Sequence, residues 1–311
     1  MEKRNYHSII KGNIKTIKFI RNEWKKIMLT LVLTAAGVFF IFPFVLTVSN
    51  SFMTEGEIKE NYSVITQASV LGEQNPAGTQ YVNLKLIPDE VSLKQLYNVM
   101  VKRNKFLIMF WNSMILVIPI AVGEIAVSLM AAYAFAKINF KFRERLFYIY
   151  IVTMLMPFQV TLVPNYIIVN KLGLNNSYMS IILPGIFSAF GVFLLRQFMT
   201  YIPNEYIEAA RMDGASHIGI FLNIVIPMSK AGVAALAILI FIDNWNMVEQ
   251  PLIFLQDTNK YPLSVFFSYI NRGEIGIAFA ASTLFMAPMV LMFLYWEEYL
   301  IQGIQLTGLK G

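Results

Sequence analysis

The chain is written as long apolar runs separated by short polar stretches, and the lengths of those runs predict its architecture. A helix needs about 20 apolar residues to cross the hydrocarbon core of a bilayer. Residues 27–54 carry no charged side chain, and further apolar runs occupy 106–136, 146–169, 178–198, 229–250 and 276–301. Each is near or above the required length, with excess for tilt. The pattern predicts an all-α membrane protein with six transmembrane helices. Pro43 predicts a kink in the first run, and Pro157, Pro164 and Pro184 lie inside or beside the third and fourth. The first run is longer than the core of a secretory signal and ends in Asn50-Ser51-Phe52 without a small-residue cleavage site. It reads as an uncleaved span.

The polar stretches have characters of their own. In residues 1–26, Ile10, Ile14, Ile17, Ile20 and Trp24 recur at helical spacing, with Lys11, Lys15, Lys18 and Arg21 between them. This predicts an amphipathic helix on the inner membrane surface; a charged tail without structure is the plainer reading. Residues 55–105 balance acidic against basic side chains and are rich in Gly, Asn, Pro and Thr around Gly72–Tyr81. They read as an extracytoplasmic loop with a short helix at 92–101, too short to build a well-buried domain.

The segment 203–227 is polar yet has helical order. Pro203 suits a first helical position, and Glu205 and Glu208 suit the positive end of a helix dipole. Ala209, Ala210 and Met212 favour helix, and Gly214 suits the left-handed residue that ends one. A second run places Ile218, Phe221, Leu222 and Val225 three or four apart, predicting one apolar face, and ends at Pro227. Two short helices joined at a glycine would make a knob able to enter a partner's cleft. An ordinary amphipathic loop is the plain alternative.

Composition agrees with a membrane and removes several other classes. The chain has 311 residues, 57% hydrophobic and 14% charged, where a soluble domain carries about a quarter charged. Mean hydropathy is +0.57. The net charge of +6 does not describe a nucleic-acid face, because eight of the 25 basic residues fall within residues 1–26, ahead of the first apolar run. Four more crowd the connection Lys137–Arg145. That is the positive-inside pattern, and it puts both termini, the 137–145 connection and the knob (within 199–228) in the cytoplasm. With no cysteine and two distant histidines, His7 and His217, no disulfide, thiolate or metal site is expected.

No catalytic residue stands out. The phosphate-binding Gly-x-x-x-x-Gly-Lys-Ser/Thr loop is absent, as are Gly-x-Ser-x-Gly and His-Glu-x-x-His, so the chain is not expected to bind ATP or to be an enzyme. Charged groups within spans carry the functional interest. Glu124 lies mid-span and reads equally as part of a polar pathway or as a structural partner for a neighbouring helix. The cluster Asp243-Asn244-Trp245-Asn246 with Glu249 offers the carboxylates, amides and aromatic ring that grip sugars. Helix–helix hydrogen bonding would use the same residues.

Glu208-Ala209-Ala210, Asp213-Gly214-Ala215 and Ile226-Pro227 resemble the EAA signature of permease subunits in binding-protein-dependent ABC importers. Tyr133-Ala-Phe-Ala-Lys137, Phe241–Asn246, Pro251–Leu255 and the closing Gly308-Leu309-Lys310-Gly311 resemble the carbohydrate-uptake branch that includes the maltose permease. The chain departs from that pattern at Ala231 and Met247, where the family commonly has a proline and an acidic residue, and in a longer 55–105 loop. The resemblance implies the type I importer permease fold and a multi-pass subunit of the bacterial cytoplasmic membrane. It implies as partners a second homologous permease subunit, two ATPase subunits that hold ATP and Mg, and an extracytoplasmic solute-binding protein delivering a sugar or oligosaccharide. Glu208 through Phe221 would be the coupling helices seated in the ATPase, and the 303–311 tail, through Gly308–Gly311, would reach toward the ATPase dimer. The loop at 256–274 would touch the binding protein or its cargo. A stand-alone secondary transporter or channel is the competing reading, and a membrane scaffold a lesser one.

Overall fold

The computed structural model describes residues 2–62, 82–271 and 273–308, with side chains described from Trp24 to Tyr299 within those ranges. Every regular element among the described residues is helical. Four helices are long and apolar enough to cross a membrane, and two bent helix pairs raise the number to six if each pair is one span. The chain divides into two units, residues 1–95 and 96–311.

In the first unit, α1 runs without interruption over Glu2–Ser51 and contains the apolar stretch Trp24–Ser51. The expected surface helix is therefore not a separate element. No glycine or proline occurs between Asn13 and Ala36, so nothing stops the helical hydrogen bonds from running through. Beyond α1, residues 55–62 are helical. Glu57 accepts a hydrogen bond from the Asp89 amide at 2.9 Å and pairs with Lys85 at 3.2 Å. A hydrogen bond to Asp89 holds the Lys85 ammonium above the ordinary lysine pKa, helped by Glu57 and opposed by desolvation. The polar stretch at 72–81 lies outside the described residues.

The second unit is built on one helix. A short helix, α2 (Lys94–Tyr97), runs into a π-helical turn at Asn98–Lys102, close to the helix expected over 92–101. Then α3 (Asn104–Lys137) buries Phe106, Met109, Ser113, Leu116, Ile120, Glu124, Ser128 and Ala132, a stripe with steps of three or four. That stripe packs against α6 (Met179–Gly185), α7 (Ala189–Thr200) and α10 (Lys230–Trp245). At Gly191, on α7, a Cβ would collide with Ser128 and come within 3.2 Å of Glu124. Glycine lets the two backbones close on each other there.

Three of the expected spans are broken, the 178–198 run among them, where residues 186–188 separate α6 from α7. The 146–169 run folds as α4 (Arg143–Met154) and α5 (Phe158–Lys171), bent by 99°. Pro157 causes this: it has no N–H, sits extended at φ −60°, ψ 140°, and excludes helix at Met156. The 229–250 run also ends early. The helix α10 stops at Trp245, residues 246–248 turn, and α11 (Glu249–Phe254) starts afresh. The last helix, α12, covers Ile275–Gly308, so the backbone stays helical through the start of the expected 303–311 tail. Leu309, Lys310 and Gly311 lie outside the described residues.

Candidate functional site

The 203–227 segment folds as two short helices. α8 covers Asn204–Met212, and α9 covers His217–Ile220, continuing through a π-helical turn at Phe221–Val225 to Ile226–Met228. Pro203 is the residue before α8 rather than its first. Gly214 has φ +79°, the left-handed conformation expected of it. The Ala215 amide donates to Ala210 O at 2.9 Å and the Gly214 amide to Arg211 O at 3.0 Å. That pairing is a Schellman motif, which satisfies the orphan carbonyls of α8 and fixes the angle to the next helix. Ser216 caps α9, its hydroxyl accepting the Gly219 amide at 3.2 Å. This cap is legible in the sequence as Ser216 ahead of an apolar helix, but the sequence reading passed over it.

The apolar residues of the knob do not share one face. Ile207, Ile220 and Val225 are buried and Phe221 is half-buried, all in the main core. Met212 (88% exposed), Ile218 (70%) and Leu222 (53%) point outward with Tyr206. The π-helical turn adds a residue per turn, so Ile218 and Leu222 diverge from Val225. Glu208, Ala209, Asp213, Gly214, Ala215 and Pro227 are also exposed, while Ala210 is half-buried. The knob thus has an inner apolar face that anchors it and an outer one left bare.

The end of α3 holds the knob. The Tyr133 ring lies 5.2 Å from that of Phe221, and its hydroxyl is 3.4 Å from His217 Nδ1. Lys137 Nζ donates to Ile202 O at 2.5 Å and to Asn204 Oδ1 at 2.9 Å, gripping the chain where α8 begins. Sequence reading noted the Tyr133–Lys137 stretch without assigning it this work. Beside it, Arg196 of α7 stacks at 3.8 Å over the Phe147 ring and donates to both carboxylate oxygens of Glu144 at 3.1 and 3.2 Å.

Glu124 lies nine residues before Tyr133, about 14 Å along the helix. It is 6% exposed. The Ser128 hydroxyl beside it is buried without a hydrogen-bond partner. The structure divides the rest of the cluster. Asp243, Asn246 and Glu249 are exposed and Asn244 is half-exposed. Trp245 is 0% exposed, stacked on Phe241 at 5.3 Å and close to Phe110 and Phe285, and its indole N–H donates to Phe285 O at 3.1 Å. In this structure the indole is a packing residue with no face free for a sugar. The Asn244 and Asn246 amides donate to Ile240 O and Ile242 O at 2.9 and 2.7 Å, closing the end of α10.

A third station lies at the far end of α3. Asn112, 21 residues before Tyr133 and so about 30 Å away, donates to Asn259 O at 2.6 Å and Tyr261 O at 3.0 Å, and accepts the Tyr178 hydroxyl at 2.8 Å. Ser113 accepts the Leu263 amide at 2.8 Å. Asn176, at φ +56°, accepts the amides of Gln256 and Asp257 at 3.1 and 3.0 Å. The start of the 256–274 loop is therefore held in a fixed form. One helix reaches all three stations: the knob, the mid-span Glu124 and the loop.

Residues 99–305 match the model of a known family, the binding-protein-dependent transport system inner membrane component. The chain belongs to that family. The permease is 30% identical over 233 residues to the arabinooligosaccharides transport system permease protein AraQ of Halalkalibacterium halodurans, covering 74% of its own length and 84% of the relative's. It is 34% identical over 204 residues to the sn-glycerol-3-phosphate transport system permease protein UgpE of Pectobacterium atrosepticum, covering 64% and 73%. It shares its fold with a chain in the crystal structure of a bacterial ABC transporter involved in the import of the acidic polysaccharide alginate. That match has a TM-score of 0.70 at 19% identity and covers 88% of the permease and 95% of the solved chain. The permease is an integral membrane transport subunit of an ABC importer and is itself non-catalytic. Its family assignment displaces the stand-alone secondary transporter and the scaffold.

Proposed function

We propose that this permease passes a sugar or oligosaccharide across the bacterial cytoplasmic membrane, and that the 203–227 knob couples it to a separate ATPase. The observation that carries the proposal is the outer face of the knob. Met212, Ile218 and Leu222 are exposed on two helices fixed by the Gly214 Schellman turn and tied to α3 through Tyr133 and Lys137. A bare apolar face on a rigid protrusion marks an interaction surface. Glu208 and Asp213 beside it suit basic residues of a partner.

In this reading both termini and the knob lie in the cytoplasm, as the basic residues of 1–26 and 137–145 favour. A second homologous permease subunit completes the pathway, two ATPase subunits hold ATP and Mg, and an extracytoplasmic binding protein delivers cargo to the 256–274 end. Closure of the ATPase dimer moves the knob, and α3 carries that motion toward Glu124 and the α10 carboxylate Asp243. Such a cycle is a two-state equilibrium biased by nucleotide. Within the pathway the exposed Asp243, Asn246 and Glu249 and the half-exposed Asn244 are the groups available to cargo hydroxyls, and Glu124, buried in this structure, joins them only once the cycle uncovers it. Support for a carbohydrate comes from the arabinooligosaccharide permease among the relatives. The tail Gly308–Gly311 is assigned to ATPase contact on the sequence resemblance alone.

Reconstitution tests the proposal. The permease with its copurifying subunits, placed in proteoliposomes with binding protein outside and ATP inside, is expected to accumulate labelled oligosaccharide only with ATP. Uptake of equal size without ATP would overturn the coupled reading.

A further inference from the structure

Where α9 passes into α10, the knob end of the molecule has a cavity of about 270 Å³ that the transport cycle above does not use. One wall is Ile226, Lys230 and Val233, and the other is Tyr295, Trp296 and Tyr299 of α12. Trp296 lies 21 residues into α12, about 32 Å from its start, which puts the aromatic wall at the same end as the knob. Tyr295 is 78% exposed and Lys230 is exposed, so the cavity opens on the outer surface of the helices. No carboxylate among the described residues pairs with Lys230. On α12, Glu297 falls at 100° per residue on the side away from Tyr295 and Tyr299, and Glu298, an i,i+3 neighbour of Tyr295, forms no ion pair with Lys230.

We propose that this cavity binds an anionic phospholipid. The lining has the two parts such a ligand needs: an ammonium at the end of a span for the phosphate, and apolar walls for the first acyl methylenes. Tyr and Trp rings prefer the depth where headgroup meets hydrocarbon, since one end of each is apolar and the other polar. The cavity joins the first turn of α10 to α12 directly behind the knob. A lipid seated there braces α10 while the knob moves, whichever leaflet that end occupies.

The test is lipid quenching of Trp296 in the copurified complex, reconstituted in nanodiscs. Trp24 and Trp111 of this chain are replaced by Phe, and the Trp296 signal is read as the difference from the same complex carrying Trp296→Phe as well. Brominated phosphatidylglycerol is expected to quench Trp296 about fivefold more effectively than brominated phosphatidylcholine, the preference one ammonium confers at headgroup depth. Lys230→Gln should abolish the preference and Lys230→Arg should keep it. Equal quenching by both lipids, or an unchanged preference in Lys230→Gln, would overturn the proposal. So would loss of the preference on adding millimolar inorganic phosphate, which identifies a free-anion site. Absence of quenching by either lipid would also overturn it, because a protein partner then covers the cavity.

Discussion

Gly214 shows how much a single residue decides. At φ +79° it holds a conformation that costs an L side chain about 1–2 kcal/mol, and the angle between α8 and α9 depends on it. Gly214→Pro cannot adopt that φ and should abolish ATP-coupled uptake while leaving membrane insertion intact. Gly214→Asn, which tolerates the left-handed region, should retain most uptake. Transport assays beside membrane fractionation separate these outcomes, and normal transport by Gly214→Pro would refute the role of the turn. Trp245 and Asp243 stand close in sequence but differ in kind. Trp245→Ala should lower stability by about 3–5 kcal/mol, as removal of a fully enclosed aromatic does, visible as an earlier thermal transition in detergent. Asp243→Asn should leave that transition nearly unchanged and alter uptake. A loss of stability in both variants alike would argue that Asp243 is structural. Sequence could not separate the two, because burial depends on which rings α3 and α12 bring to Trp245.

At the scale of elements, the legible features were those encoded by local chemistry. Apolar runs marked α1, α3 and α12, and Gly214 marked the end of α8. What escaped was set by neighbours or by one backbone group. Pro157 was visible, yet the 99° bend it permits between α4 and α5 depends on how each half packs. Spacing suggested one apolar face for α9, whereas the π-helical turn at Phe221–Val225 gave it two. The anchoring of the knob was the largest omission, since Tyr133 and Lys137 lie 65 or more residues from their partners Ile202 and His217. That anchoring makes a specific prediction for α3. Lys137→Met keeps the apolar stem but removes both hydrogen bonds to the start of α8. Substrate-stimulated ATPase activity of the reconstituted complex should fall severalfold, while basal hydrolysis and the yield of assembled complex stay near normal. A proportional fall in all three would instead make Lys137 a residue of assembly.

For the whole molecule, α3 is the element that links knob, mid-span and loop. Its last turns hold the knob, its middle carries Glu124, and Asn112 and Ser113 near its start hold the 259–263 segment. A rigid helix with a grip at both ends transmits displacement between them, which is what an importer driven from one side requires. All of this depends on the knob being where force enters. The most direct measurement is purification of the tagged permease in mild detergent, with the copurifying subunits quantified by mass spectrometry for the wild type and for Ile218→Asp. Ile218 is 70% exposed, so the substitution charges the outer face without disturbing the core. An ATPase and a second permease should accompany the wild type. Ile218→Asp should lose the ATPase and keep the second permease. Retention of the ATPase at wild-type level by Ile218→Asp would contradict the claim that the knob is the docking element.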